Sequence, residues 1–484
     1  MMYGDIRTGL EAFLEARDPV RALTLWLASH HGSSVPASRE SLLQQLATDV
    51  AHLDSLINAQ LNAILHHPRF QQLEASWRGL QFLTAKAEDA ERVNIRILSL
   101  SWAEATRDIS RAIEFDQSQL FRKIYNEEFG LAGGKPYGVL LADYEIHHRP
   151  KPDWPHDDIA TLQGLSHIAA AAFTPLIVGV DPTVFGLDRF AGLEMPFDLS
   201  DTFRGEEYTK WRAFRDTDDA RFVGLTLPRT LMRLPYADGV GRSDGFRFRE
   251  DVRGPDSSRY LWGTAVYAFG SVLVRAFSES GWLADIQGVH RGREDGGLVT
   301  GLATEWFATN RVGAVPKYTT DVLITDAQEK ELTDLGFIPL CACKDTGWAA
   351  FYSNSSAHSP KAYDRVAATV NARLSAGLQY IFCASRFSHY VKVMARDKVG
   401  SFLSAEDCQS YLQNWLHKYC TASEDASIDL KAKYPLREGR VEVRERPGSP
   451  GSYFCIMHLK PHFQLDQVAT SVKLVTELAP AERT

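Results

Sequence analysis

GVLLADYEIHHRPKPDWPHDDIATLQGLSHIAAAAFTPLIVGV, residues 138–180, is the stretch that decides the fold class. Gly138–Ala142 is a short apolar run behind a Gly-Gly-Lys-Pro turn, the pattern of a buried strand. Ile159–Phe173 predicts a helix, and Leu176–Val180 a second short buried strand. Strand, helix and strand in that order are the unit of a parallel sheet, because a parallel return needs a long crossover. The reading is an α/β body with at least part of its sheet parallel.

Upstream, Leu42, Leu43, Leu46, Val50, Leu53, Leu56, Ile57, Leu61, Ile64 and Leu65 recur at helical spacing, with a break expected at Pro68 and a second helix over 70–87. Val93–Leu100 alternates and is rich in β-branched residues, which predicts a strand. Helices are predicted over 103–116 and 119–128, the second ending at Gly130. Residues 1–50 read as an N-terminal arm. It carries one short helix at Leu10, Phe13 and Leu14 and another at Leu23, Leu25, Trp26 and Leu27, with a turn-rich patch over 30–38.

Downstream, 181–345 holds Gly/Pro/Asp-rich stretches at 238–244, 253–258 and 288–297, expected as surface loops of an inserted outer region that also contains a buried helix over 260–280. A helix over 367–374, an apolar segment over 378–384 and an amphipathic helix over 403–419 follow, the last with Ser404 three residues before Asp407 as its cap. The tail is the clearest β-signal: 440–444 alternates, 447–451 turns, 452–459 returns and 471–478 alternates again. The expected organisation is therefore an arm (1–50), a first part of the body (51–180), the inserted region (181–345), a second part of the body (346–435) and a C-terminal hairpin with a terminal strand (436–484).

Composition narrows the function. A chain of 484 residues, 44% hydrophobic and 24% charged, has a sizeable core divided among two or three domains. A net charge of −8 gives no electrostatic footprint for a phosphate backbone, which argues against nucleic acid. The longest apolar candidate, 169–180, is interrupted by Pro175 and Gly179 and falls short of a bilayer span. The first ten residues lack the basic-then-apolar order of a signal peptide. Cys341, Cys343, Cys383, Cys408, Cys420 and Cys455 show no CxxC spacing, which suits buried thiols in a reducing cytoplasm.

The sequence carries no catalytic constellation. Phe129–Pro136 offers Gly134-Lys135 but has Phe in place of the first glycine of a phosphate loop and Pro in place of its hydroxyl. Asp238–Gly245 misses the dinucleotide spacing by one residue and follows no strand. Neither a nucleophile elbow nor HExxH occurs. Cys341-Ala-Cys343 is too tightly spaced for a usual zinc site and reads as core cysteines on one strand face. His458 and His462 are separated by Pro461, which argues against a helical metal clamp, and His389, a general base in principle, has no nucleophile in view. No catalytic residue, cofactor or metal is expected.

Several segments are distinctive beyond periodicity. Gln60–Gly79 (QLNAILHHPRFQQLEASWRG) resembles the opening signature of the large subunit of the type VI secretion contractile sheath, the TssC/VipB family. Phe115–Gly130, Pro136–Tyr144, Gly224–Arg229 with Arg233–Tyr236, and Tyr260–Trp262 resemble its next blocks. Asp334–Leu340, Ser385–Tyr390, Arg396–Ser401, Pro435–Arg437, Pro450-Gly451 and Leu459–Leu465 continue them in the family's order. Trp77, Arg78, Asp116, Ser118, Tyr125, Arg229, Arg386, His389 and His462 fall within or beside these blocks and are expected to be structural.

The resemblance implies a mixed α/β (α+β), multi-domain contractile-sheath fold: a mixed sheet flanked by helices, with a C-terminal strand-exchange β-element. It implies a bacterial cytoplasmic protein without enzymatic activity. Such a subunit pairs with the small sheath subunit and polymerises helically with neighbouring protomers around an inner tube of hexamer rings. The sheath joins a baseplate, contracts to propel tube and spike, and is recycled by an AAA+ unfoldase through the small subunit or the contracted sheath. Nucleic acid and direct membrane insertion have no part in it. Backbone pairing between protomers would fall to the tail, at Arg440, Val441, Val443, Tyr453, Ile456, Val472, Leu474, Val475 and Leu478. The alternatives are a phage-like contractile-tail sheath and an α/β enzyme centred on His389 or Cys343.

Overall fold

The computed structural model describes residues 10–30, 38–131, 133–195, 198–237, 246–252, 257–290, 292–304, 318–344, 346–397, 404–423, 426–445, 453–462 and 472–478. The chain divides into two compact units, residues 1–67 with 235–253, and residues 68–234 with 254–484.

The smaller unit is built on α1 (Pro19–His30) and α2 (Arg39–Leu65), with residues 10–15 also helical. Ser38 and Ser41 form a capping box that satisfies the first N–H groups of α2. One turn apart on this helix, Asn58 and Asn62 hold an extended backbone segment. Asn58 donates to the Arg247 carbonyl (3.0 Å) and accepts from the Arg249 N–H (3.2 Å), while Asn62 accepts from the Asp251 N–H (2.7 Å). Because α2 runs unbroken from 39 to 65, the boundary expected between 50 and 51 does not exist.

In the larger unit α3 (Pro68–Lys86) begins at the proline where a break was expected, since a helix start leaves its first N–H unpaired anyway. Gly79 lets α3 lie against the ring of Tyr267, where a Cβ would stand 2.2 Å from it. α4 (Trp102–Arg111) follows, shorter than the predicted 103–116. Then come β1 (Leu140–Ile146), α5 (Asp158–Ala172), β2 (Leu176–Val180), α6 (Thr209–Arg215), β3 (Val223–Leu227) and the two-residue pair β4 (Thr230–Leu231) and β5 (Trp262–Gly263). α7 (Val266–Ser280), β6 (Leu298–Val299), α8 (Asp326–Asp334), β7 (Ile338–Ala342) and β8 (Ala349–Phe351) complete the body.

Its sheet has the order β1-β2-β3-β7-β8-β6, with the first four strands parallel and the last two antiparallel to their neighbours. The β1-α5-β2 crossover is the one read from 138–180, in the register Leu140↔Leu176. Successive residues of a strand face opposite sides, so Val178, Val180, Leu225 and Leu227 join one core with Trp211 and Phe337, while Ile177, Ile338 and Leu340 join another with Val266, Phe269 and Leu378. Both faces are covered, which is why these strands read as continuous apolar runs.

Three expectations differ. Val93–Leu100 forms no strand: it pairs with no ladder among the described residues, and Ile97 and Leu98 stay exposed. Alternation marks a strand only when a sheet edge is within reach. Residues 181–345 are not an insertion, because they supply β3 and β7, two fully or nearly fully buried strands in the middle of the sheet. The helix expected over 260–280 starts at Val266, Trp262-Gly263 pairing instead with β4. The turn-rich stretches at 31–37, 238–244 and 447–451 lie outside the described residues.

Beyond the body come α9 (Val366–Ser375), α10 (Leu378–Asp397), α11 (Ala405–His417) and α12 (Ile428–Lys433). They precede a three-stranded antiparallel sheet of β9 (Leu436–Glu445), β10 (Tyr453–Pro461) and β11 (Val472–Leu478), in the order β11-β10-β9.

Candidate functional site

The C-terminal sheet gathers every residue assigned to linkage. Arg440, Val441 and Val443 lie on β9, Tyr453 and Ile456 on the central β10, and the backbones of Val472, Leu474, Val475 and Leu478 on β11, from Leu459↔Val472 to Tyr453↔Leu478. Its two faces are unlike. Val441, Val443, Cys455, Met457 and Leu459 pack with Cys408, Leu412 and Leu416 of α11 and with Phe387 and Val391 of α10, while Arg440 and Ile456 turn to the other face. Each aliphatic side chain so buried contributes roughly 2 kcal/mol. Gly439 admits Leu416 at the start of this packing, where a Cβ would stand 2.6 Å from it.

The outer edge of β9 is closed by two side chains that sequence reasoning missed. Val441 and Val443 sit opposite Met457 and Cys455 with their N–H groups directed away from β10. Val441 donates to Gln413 Oε1 (2.7 Å) and Val443 to Gln409 Oε1 (3.0 Å), while Gln413 Nε2 donates to the Gly439 carbonyl (2.8 Å). The two amides stand in for a neighbouring strand, one way a protein protects a sheet edge. Their signal in the sequence is a Gln pair four residues apart, each one position after a core residue of the Cys408, Leu412, Leu416 stripe. β11 forms the other edge of the sheet.

A second cluster lies at the carboxyl ends of β1, β2 and β3, the place where open α/β sheets commonly hold ligands. Here the chain fills it with its own charges. Arg229 donates to Glu145 through Nε and Nη2, both at 2.6 Å, and to Asp181 at 3.2 Å, and its backbone N–H reaches Asp321 at 3.2 Å. Burial pulls the Arg229 pKa down, but Glu145, with Asp321 and Asp181, outweighs it and leaves it raised. Burial pushes the Asp321 carboxyl up to about 7 against the pull of Arg229. Beside them Asp158 accepts from Trp102 Nε1 (2.6 Å) and contacts His147 Nδ1 (3.0 Å).

The other signature residues fall in varied surroundings. Ser118 accepts from the Phe121 N–H (3.0 Å) as a helix cap, and Asp116 sits in the preceding short helix. Tyr125 stacks on Phe121 and takes a hydrogen bond from Lys392 (3.2 Å), and Arg78 pairs with Glu74 (3.5 Å). Arg386 lies over the Tyr390 ring at 4.6 Å. His462 follows the last residue of β10, its pKa lowered by burial and by Lys431. Asp116 and Trp77 are exposed, Trp77 at 63%.

His389 is buried, with Nε2 at 3.1 Å from the Ala172 carbonyl, and burial pushes its pKa down to about 3, which keeps the imidazole neutral. All six cysteines are free, and burial raises Cys341, Cys383 and Cys455 to about 12. Concavities lined by Glu104, Arg107 and Asp108, and by Asp218, Arg221 and His358, include neither His389 nor Cys343. Asp285, His290 and Asp295 also approach one another in a loop. There His290 Nδ1 bonds Asp295 (2.8 Å) and Asp285 accepts from the Gly296 N–H (3.2 Å), bracing the loop that leads into β6.

Residues 47–358 match the family model described as EvpB/VC_A0108, tail sheath N-terminal domain. Residues 367–478 match the one described as EvpB/VC_A0108, tail sheath gpW/gp25-like domain, a span that holds α10, α11 and the C-terminal sheet. A curated relative, the type VI secretion system sheath protein TssC1 of Pseudomonas aeruginosa, is 38% identical over 470 residues, covering 96% of this chain and 92% of its own length.

Proposed function

The chain belongs to the EvpB/VC_A0108 tail sheath family, as a large structural subunit of the type VI secretion sheath, and from that premise we propose how it assembles and works. It pairs with a small sheath subunit in the bacterial cytoplasm, and the heterodimers polymerise helically around an inner tube of hexamer rings above a baseplate. The extended array is a metastable packing that rearranges into a tighter one and drives the tube outward. An AAA+ unfoldase recycles the contracted sheath through the small subunit or the contracted lattice. The subunit itself catalyses nothing, a reading that its raised thiol pKa values and the depressed pKa of His389 support.

One observation carries the linkage reading: β9 has its outer edge taken by Gln409 and Gln413, while β10 takes as its second partner the terminal strand β11. A terminal strand of this kind can occupy the same place in a neighbour with the same register, the economy of domain swapping. Protomers tied by backbone hydrogen bonds can then change packing without separating. Deleting residues 468–484 is expected to leave the body folded and to abolish polymerisation with the small subunit. Electron micrographs of normal sheaths from that truncation would refute the linkage.

A further inference from the structure

The loop between α7 and β6 gathers three metal-ligating side chains at even spacing, Asp285, His290 and Asp295. One ligand atom from each lies within 4.8 Å of the other two. Backbone bonds hold the loop closed: the Gly288 N–H donates to the Phe351 carbonyl of β8 (2.9 Å), and the Gly297 N–H to the Gly288 carbonyl (2.7 Å). Gly296 turns there at φ +61°, where a Cβ would stand 2.7 Å from that same carbonyl oxygen. The side chains of His290 and Asp295 are only 24% and 13% exposed, and His290 Nδ1 stands 2.8 Å from an Asp295 oxygen. Two donors at about 2.1 Å from one ion lie roughly 3.0–3.4 Å apart. Opening that pair slightly and drawing in Asp285 brings all three onto one cation.

Hydrogen bonding within the loop leaves the cluster unfinished. Asp285 Oδ2 accepts from the Gly296 N–H (3.2 Å), but its Oδ1 is shut off from solvent and has no donor. A desolvated carboxylate oxygen needs a donor or a cation. The two nearby arginines do not supply one. Arg275 directs its guanidinium to the carbonyls of Leu298 and Gly296, both at 2.5 Å. Arg293 pairs with Asp429 of α12 (2.8 and 3.0 Å) and reaches Asp295 only at 3.7 Å. Glu279, Glu294 and Asp429 add negative charge around the loop. Burial, with Asp295 beside it, holds the Asp285 carboxyl above its ordinary range. One imidazole with two carboxylates suits ions such as zinc, whereas magnesium and calcium prefer oxygen alone.

We propose that Asp285, His290 and Asp295 bind a divalent transition cation of the zinc class. The ion joins the end of α7 to the start of β6, the edge strand of the body sheet, and steadies the loop from which Arg293 reaches α12. Its role is structural and independent of how protomers assemble. The test uses the untagged full-length chain stripped with EDTA, with zinc chloride in titration calorimetry and cobalt chloride in visible spectroscopy. A single equivalent of zinc is expected to bind, and the melting temperature should rise with zinc and fall back on chelation. Asp285→Asn keeps an oxygen for the Gly296 N–H. It and His290→Ala should each weaken zinc binding at least about 100-fold, since outer-shell partners alone are worth roughly 10–100-fold. Asp285→Asn carries the comparison if His290→Ala melts below the wild type in EDTA. Cobalt should give d–d bands without a thiolate charge-transfer band. Zinc held equally by the wild type and Asp285→Asn, or not held at all, would overturn the site. A thiolate band would give the metal to the cysteines, and magnesium bound as tightly as zinc would take the imidazole out of the site; either result ends the proposal.

Discussion

Replacing Gln409 and Gln413 together by alanine isolates what closes the β9 edge. The structure gives three bonds to the edge to lose, Val441 N–H to Gln413, Val443 N–H to Gln409, and Gln413 Nε2 to the Gly439 carbonyl, beside one within α11 between Gln413 Nε2 and His417 Nε2. At about 1 kcal/mol net for each, the sum is about 3 kcal/mol. Water can reach part of the freed edge, so a loss of about 2 kcal/mol is expected. Alanine is the better helix former, so α11 is not weakened by the change and the loss belongs to the edge. Hydrogen exchange reads it directly: the Val441 and Val443 amides should exchange about 30-fold faster, the equivalent of 2 kcal/mol. The amides of Arg440 and Glu442, which face β10, should change only as far as the whole sheet is destabilised. With its edge uncovered, the variant should also associate non-specifically at lower concentration. Unchanged exchange at Val441 and Val443 would show that the two glutamines are bystanders.

Glu145→Gln removes the charge that holds Arg229 through two bonds of 2.6 Å, leaving Asp181 and Asp321 as its acidic neighbours. A cost of about 2 kcal/mol in chemical denaturation is expected, and a variant as stable as the wild type would mean the cluster is neutral to folding. The pH dependence of stability contains two opposed contributions. Asp321, held near 7 against an ordinary 3.8, keeps its proton in the folded state over that window, so stability falls as pH rises from about 4 to 7. His389, held near 3 against an ordinary 6.5, stays neutral when folded, so its contribution is full above 6.5 and is lost as pH falls toward 3. Each is at most about 4–5 kcal/mol. Asp321→Asn should steepen the loss of stability on acidification, and His389→Gln should make that loss shallower between pH 6.5 and 3. Identical profiles for the two variants by thermal melting at fixed ionic strength would contradict both assignments.

The sequence by itself determined the elements whose patterns are local. Leu176–Val180 is a strand of those very residues, 138–180 closes a parallel crossover, Ser404 caps α11, and the tail forms an antiparallel sheet from its alternating runs. Periodicity suffices there because turn, cap and buried face lie within a few residues of one another. Family membership was legible for a different reason, the order of a dozen blocks along the chain. What the tertiary structure alone decided is which partner each segment meets. Val93–Leu100 has the alternation of a strand and no ladder, while β3 and β7, set among loop-rich stretches, occupy the centre of the sheet. Gln409 and Gln413 look like solvated helix residues until the β9 edge is beside them, and Arg229 meets Glu145 across 84 positions of sequence. Such contacts join groups remote along the chain, where no local period records the distance.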